Sequence, residues 1–389
     1  MSRTPKSPQL FGNIRPSAPG AARGSNKKNP PPVPLPAPIP APGGLHLDLA
    51  QLIDAKEIAA ITAANKIVFH MVGDTGGVRD GAAQQTLVAE AMEKDFTSNV
   101  ADNPAFFFHL GDVIYYNFDD DSTLPTQFLK PYQFLQEPII AIPGNHDSST
   151  PSLASPGNLA EFMRLFCTAA AKPIAPDFDR TTMIQPYIYF TLEAPFVKII
   201  ALYSNNGEGP GVLDPNGDQH QLDFLTAEFK RAAGSRPADP RPVIVAVHHP
   251  LFSISNDHGS SPDMLTKVDA VMDATGFVPD AFLSGHVHGF EFFVRNYKGR
   301  EIPYVICGTG GYNDDAHVNQ KPRMPAPMGN GFTLVQFFDF QYGYMRMTVD
   351  GGSITGEFLG VPTGSQSAGY VEVLETFRVN LTAHTVGNH

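Results

Sequence analysis

IVFHMVGDTG, residues 67–76, is an apolar run that stops at a Gly-Asp turn. A run of six apolar or aromatic-like residues bounded by a glycine reads as a buried strand, with Asp74 at its carboxyl end. The same arrangement returns in FFFHLGDVIY (106–115), IIAIPGNHD (139–147), VIVAVHHP (243–250) and AFLSGHVH (281–288). The strand runs are 67–72, 106–110, 139–142, 243–247 and the shorter 281–283. Near-continuous apolar strands belong to sheets covered on both faces, and loops leaving the carboxyl ends of parallel strands open onto one crevice. The five turns carry aspartate, asparagine and histidine, the residue types that bind hard or borderline metal ions. Together they point to a hydrolase that uses two metal ions.

In this order (Asp, Asp, Asn-His, His, His-x-His) the chain resembles the calcineurin-like metallophosphoesterases. Two details bring it nearest the purple acid phosphatase branch. Thr75-Gly76 follow Asp74 where most of the superfamily has Asp-x-His, and Tyr115 stands three residues after Asp112, where the branch places a metal-bound tyrosine. The resemblance covers roughly residues 66–311. It implies an α/β fold, a four-layer α-β-β-α sandwich of two mixed sheets. It also implies one metal held by Asp74, Asp112, Tyr115 and His288, and a second held by Asp112, Asn145, His248 and His286, with Asp112 bridging. His146 and His258 fall where the family has histidines that contact the substrate phosphate.

The chemistry asks for these residue types independently of any family. Hydrolysis of a phosphate ester by a metal pair needs ions ~3.5–4 Å apart that stabilise both the attacking and the leaving oxygen. A carboxylate is the natural bridge. A phenolate is harder to supply, because free tyrosine titrates near pH ~10. A strongly Lewis-acidic ion such as Fe(III) deprotonates it, so Tyr115 argues for Fe(III) at its site and Zn, Mn or Fe(II) at the other. Two carboxylates and one phenolate leave such a pair with a positive surplus for a phosphate dianion.

Each residue also has a plain structural reading. Aspartate in a Gly-Asp turn often only hydrogen-bonds its own backbone, and Asn145 suits a turn. His248 and His249 compete for one role; the VxxH spacing and Pro250 favour His248. Tyr116 adjoins Tyr115, and a tyrosine pair after a strand is commonly packing. His70 and His109 sit inside strand runs and read as core histidines, while His317, His384 and His389 have no motif context. The run Gly308-Thr309-Gly310-Gly311 lacks the lysine and helix start of a phosphate loop and reads as a turn. Asn380-Leu381-Thr382 fits a glycosylation acceptor, a short match expected by chance.

Composition bounds the rest. The chain has 389 residues, 42% of them hydrophobic, enough for a large core. Residues 1–45 hold six basic residues, no acidic ones, and eight prolines between Pro30 and Pro42. That tail cannot bury enough apolar surface to fold and reads as disordered, partly polyproline II. Setting its +6 aside from the net −12 leaves −18 on residues 46–389, which argues against nucleic acid as the main partner. The expected partner is a small phosphate ester, and no protein partner is identifiable. There is no apolar secretion signal and no run long enough to span a membrane. Two cysteines, Cys167 and Cys307, cannot form a disulfide framework. These features favour the cytoplasm, whereas the resemblance points toward export.

Residues 84–95, 219–233 and 263–275 carry helical periodicity, and 332–338, 344–348, 353–359 and 371–379 read as strands, so 332–389 is mostly β. The 28 phenylalanines are expected to fill the layer between the sheets. The insert 148–180, rich in small, proline and polar residues, reads as a variable loop or lid. The expected activity is that of a binuclear phosphomonoesterase, a metal-activated hydroxide attacking phosphorus in line while His258 or His146 protonates or orients the leaving oxygen. A phosphodiesterase of the same fold, on cyclic nucleotides or phospholipid headgroups, needs the same metals and is the alternative. A non-catalytic binding module would show degenerate ligand positions, and here each is filled. A single structural metal would leave most of the ligands unused.

Overall fold

The computed structural model describes residues 44–387 except 78–80, 116–122, 149–158, 206–208, 237, 257, 313–317, 319–320 and 363–370. The expected tail therefore lies outside the described residues up to position 43, as do Tyr116, His317 and His389.

Two mixed sheets form the body. The larger, of nine strands, runs in the order His46–Asp48, Phe190–Ala194, Val197–Leu202, Val243–Val247, Ala281–Ser284, Arg300–Cys307, Phe290–Tyr297, Phe332–Phe338, Ala326–Gly329. The four strands from Val197–Leu202 to Arg300–Cys307 are parallel. The second sheet, of seven strands, runs Thr385–Gly387, Glu372–Asn380, Ser353–Gly360, Gly343–Asp350, Lys66–Val72, Phe107–His109, Ile139–Ala141, and its last three are parallel. The sequence runs thus fall on strands, with ends shifted by a residue or two where turn hydrogen bonds take over.

Alternation along the strands shows the layering. Ile244 and Ala246 join the core shared with the seven-stranded sheet, whereas Val243, Val245 and Val247 face the helices His220–Ser235 and Pro262–Thr275. Both helices are amphipathic: Leu222, Leu225 and Phe229 on one, Leu265, Val268 and Met272 on the other, meet that outer face. Helices Ala55–Ala64 and Gly81–Glu93 contribute Ile61, Val88 and Met92 to the core of the other sheet. Phenylalanines bridge the two sheets, Phe290 stacking on Phe358 at 4.2 Å and Phe292 on Phe377 at 4.9 Å. Each such ring contributes about 1.5–3 kcal/mol by leaving water.

The insert 148–180 differs from the expected loop. Residues 149–158 lie outside the described residues, but Ala160–Phe166 is a helix and Pro173–Ala175 pairs with Phe178–Thr181. Phe162, Leu165 and Phe166 fall at helical spacing and are buried, with Phe166 against Phe128 at 5.8 Å. Composition concealed a short apolar stripe. Among the described residues, no helix is long and apolar enough to cross a membrane.

Candidate metal centre

The five motif turns meet where the carboxyl ends of both parallel strand sets come together. Lys66–Val72, Phe107–His109 and Ile139–Ala141 deliver Asp74, Asp112 and Asn145-His146 from one sheet; Val243–Val247 and Ala281–Ser284 deliver His248 and His286–His288 from the other. The crevice therefore lies between two sheets, not within one.

Three candidate ligand residues adopt positive φ without being glycine: Asp74 (57°), Asp112 (54°) and His286 (68°). Left-handed backbone costs roughly 1–2 kcal/mol at such residues, and it concentrates at functional sites. Gly144 shows why the turns are glycine-rich. A Cβ there would overlap Oδ1 of Asp112.

The side chains fall into two abutting groups. In the first, the Tyr115 hydroxyl donates to Oδ1 of Asp74 at 3.1 Å, and Nε2 of His288 lies 3.3 Å from the Tyr115 oxygen and 3.6 Å from Oδ1 of Asp74. In the second, Nε2 of His248 lies 3.3 Å from Oδ2 of Asp112 and 3.1 Å from Oδ1 of Asn145. Potential ligand atoms of Asp112, His248 and His286 all sit within 4.8 Å of one another. The groups touch through backbone: the His286 amide donates to Oδ2 of Asp74 at 2.8 Å, and the His146 amide to Oδ1 of Asp112 at 2.9 Å. Asp74, Asp112, Tyr115, Asn145, His248 and His286 are all at most 2% exposed. His146 lies with its ring 4.5 Å from that of Tyr115, and the His258 ring is 4.8 Å from those of both His286 and His288.

The donor set suits a cation. Nδ1 of His248 lies 2.8 Å from the Leu110 carbonyl and so carries the proton. Its Nε2 lone pair then faces two further acceptors, Oδ1 of Asn145 and Oδ2 of Asp112, and Oδ2 is buried without a hydrogen bond. With the Asn145 amide in this orientation, a proton on His248 or a metal ion reconciles the three converging lone pairs. Titration behaviour agrees. Burial disfavours a charged His248, yet the Asp112 carboxylate raises it to about 9. Burial likewise favours neutral Asp112, but His248 and His146 hold it well below the usual carboxylate range. Burial pushes Asp74 up to about 7. His286 is held well below its ordinary value by burial and by the imidazoles around it, which keeps its lone pair available.

The remaining histidines separate cleanly. His249 is engaged by Ser204 Oγ at 2.6 Å and packs on the His286 ring at 4.0 Å, a neighbour of the cluster. His70 is buried between Glu137 and Asp95, each at 2.9 Å. His109 accepts from the Gly111 amide at 3.2 Å and contacts the Thr75 hydroxyl at 2.8 Å, tying GDTG to GDVIY; burial pushes it down to about 3.

Several supporting residues were not singled out from the sequence. Gln127 clamps the Tyr115 backbone, accepting from its amide at 2.8 Å and donating to its carbonyl at 3.1 Å. Asp147 accepts from the amides of Val113, Ile114 and Gly144, stapling GDVIY to GNHD; its place in the GNHD motif was the available clue. Tyr312 stacks on Tyr115 at 3.8 Å, delivered by the glycine run 308–311. That run is a turn, as expected, and it threads against the centre: a Cβ on Gly308 would meet Oδ2 of Asp74 at 2.8 Å.

Fold and site together define a phosphoesterase class, and a sequence model of the calcineurin-like phosphoesterase family matches residues 67–290, more than half of the chain. The chain belongs to that family. Purple acid phosphatase 22 of Arabidopsis thaliana is 25% identical over 170 residues, which is 42% of this chain and 35% of that relative's length. In structure the chain is similar to GAP50, the anchor in the inner membrane complex of Plasmodium, with a TM-score of 0.56 at 14% identity over 81% of this chain and 89% of that one. It is also similar to PhoD, with a TM-score of 0.52 at 11% identity over 83% and 71% of the two chains. Both structural likenesses concern the fold.

Proposed function

We propose that the chain is a binuclear metal-dependent hydrolase of phosphate esters, acting on small phosphomonoesters as an acid phosphatase does. The observation that carries this is the convergence of Asp112, Asn145 and His248 from both sheets on one buried point, with Oδ2 of Asp112 lacking a hydrogen bond. Asp74, Tyr115 and His288 would hold one ion, Asn145, His248 and His286 the other, and Asp112 both. Fe(III) suits the phenol-bearing side and Zn, Mn or Fe(II) the other. A metal pair there supplies Lewis acidity to the phosphoryl oxygen and acidifies water.

The chain's own residues do the rest. Burial of Asp74, Asp112, Asn145, His248 and His286 shields the centre from bulk water and strengthens its electrostatics. His146 and His258 flank the cluster, placed to hold the phosphate or a proton at the leaving oxygen. The buried, unpaired cysteines Cys167 and Cys307 support a reducing, cytoplasmic setting. Elemental analysis of the purified protein with a panel of phosphomonoesters and phosphodiesters tests the proposal. Two metals per chain and monoester turnover are expected. Metal-free protein, or a metal-loaded protein that turns over neither class, overturns it. Preference for diesters would move the chain to the phosphodiesterase alternative.

A further inference from the structure

The strand Phe290–Tyr297 begins two residues after His288, and its second residue is a glutamate. Phe290 and Phe292 on either side point into the core between the sheets, so Glu291 points the other way, and it is only 2% exposed. An unpaired buried carboxylate costs several kcal/mol, on the order of 3 or more, unless donors meet it. Here they come from one loop. The Ser253 hydroxyl donates to Oε1 at 3.2 Å and the Ile254 amide to Oε2 at 3.1 Å.

The chain of bonds continues along that loop. Ser253 Oγ accepts from the Ser255 amide at 3.0 Å, and Ser255 Oγ accepts from the His258 amide at 3.3 Å. Ser260 closes the far side, its hydroxyl accepting from the Ser253 amide at 2.9 Å and donating to the Ser253 carbonyl at 3.0 Å. Serines thus knit the segment, and among the described residues Glu291 is its carboxylate anchor. The segment ends on His258, whose ring stands 4.8 Å from those of His286 and His288.

We propose that Glu291 is a positioning residue that, through Ser253 and Ser255, holds His258 against the metal cluster so that it serves the leaving oxygen. This rests on the phosphomonoesterase reading above. Both His258 and its anchor then hang from elements that leave the metal centre itself, His258 from the Val243–Val247 strand and Glu291 from the GHVH turn. The device sets the angle of the proton donor without adding a ligand to the metals. Burial pushes the Glu291 carboxyl up to about 7, and glutamine keeps the length of the side chain and one of its two acceptor oxygens.

The test compares Glu291→Leu, Glu291→Gln, Ser253→Ala and His258→Ala in the full chain, with elemental analysis and thermal melts beside kinetics. The substrates are p-nitrophenyl phosphate, whose leaving group needs no proton, and an alkyl phosphate, whose leaving group does. Glu291→Leu and Ser253→Ala are expected to lower kcat on the alkyl ester about tenfold or more beyond any loss on the nitrophenyl ester. Metal content stays at the wild-type level and Glu291→Gln restores most of the difference. Ser253→Ala removes only a hydroxyl and decides the matter if Glu291→Leu does not fold. If His258→Ala discriminates between the esters while Ser253→Ala and Glu291→Gln behave alike and without discrimination, the role of Glu291 is refuted and the proposed function stands. Equal losses on both esters in Ser253→Ala would mark the network as merely structural and refute it too. A protein that turns over neither ester removes the proposed function and this inference together.

Discussion

The backbone amide of His286 donates to Oδ2 of Asp74 at 2.8 Å, although 212 positions separate them and each leaves a strand of a different sheet. The bond fixes how the two halves of the centre meet. It also holds Asp74 with one oxygen toward the His286 backbone and the other toward Tyr115 and His288.

Asp112 lies buried between the GNHD turn and His248. One oxygen accepts the His146 amide, and the other faces His248 without a hydrogen bond. If Asp112 bridges the proposed metal pair, Asp112→Asn puts an amide in place of the shared carboxylate, so kcat should fall by about 10²-fold or more and metal content should drop. Elemental analysis with steady-state kinetics measures both; a variant retaining two metals and normal turnover contradicts the bridging role.

Tyr115 is buried, stacked on Tyr312, and within reach of Asp74 and His288. If it binds Fe(III) as phenolate, the protein absorbs in the visible through ligand-to-metal charge transfer. Tyr115→Phe should bleach that band and Tyr116→Phe should leave it. Colourless active protein holding only divalent ions would remove the phenolate assignment.

Gly144 sets the distance between the GNHD turn and Asp112. Gly144→Ala forces a methyl onto the Asp112 carboxylate. Overpacking of that kind costs about 1–3 kcal/mol, and the carboxylate is what must move. Chemical denaturation should show the loss of stability, and the metal-binding isotherm a weakened site. Wild-type affinity in Gly144→Ala would show that the turn has slack absent from this geometry.

His46 gives a pH dependence away from the centre. On the edge strand His46–Asp48, its ring bridges Glu193 at 3.5 Å and Glu228 at 3.3 Å. Hydrogen bonds to Glu193 and Glu228 raise it from 6.5 to about 9. The folded pKa lies above the unfolded one, so the stabilisation is complete below about pH 6.5 and is lost as pH rises through 9. The melting temperature of the native chain should exceed that of His46→Gln at pH 6 and converge on it above pH 9. A difference that stays constant across this range would show that His46 acts by packing.

The residue types of the site and their placement at strand ends were legible in the sequence, because both signals are local. An apolar run of strand length ending in Gly-Asp, Gly-Asn-His or Gly-His declares itself within ten residues, and the order of five such turns is a property of the chain alone. Helical stripes such as Leu222, Leu225 and Phe229 are local for the same reason. What only the tertiary structure decided is which strands share a sheet and what lies across the gap between sheets. The motif strands divide three and two between separate sheets, so the site is a seam, and no periodicity encodes that. Gln127 on the Tyr115 backbone, Tyr312 on its ring and Glu291 under the His258 loop are ordinary residues in sequence. Their roles arise from contacts made after the sheets have packed, where a hydrogen bond depends on ångström-scale placement of segments far apart in the chain.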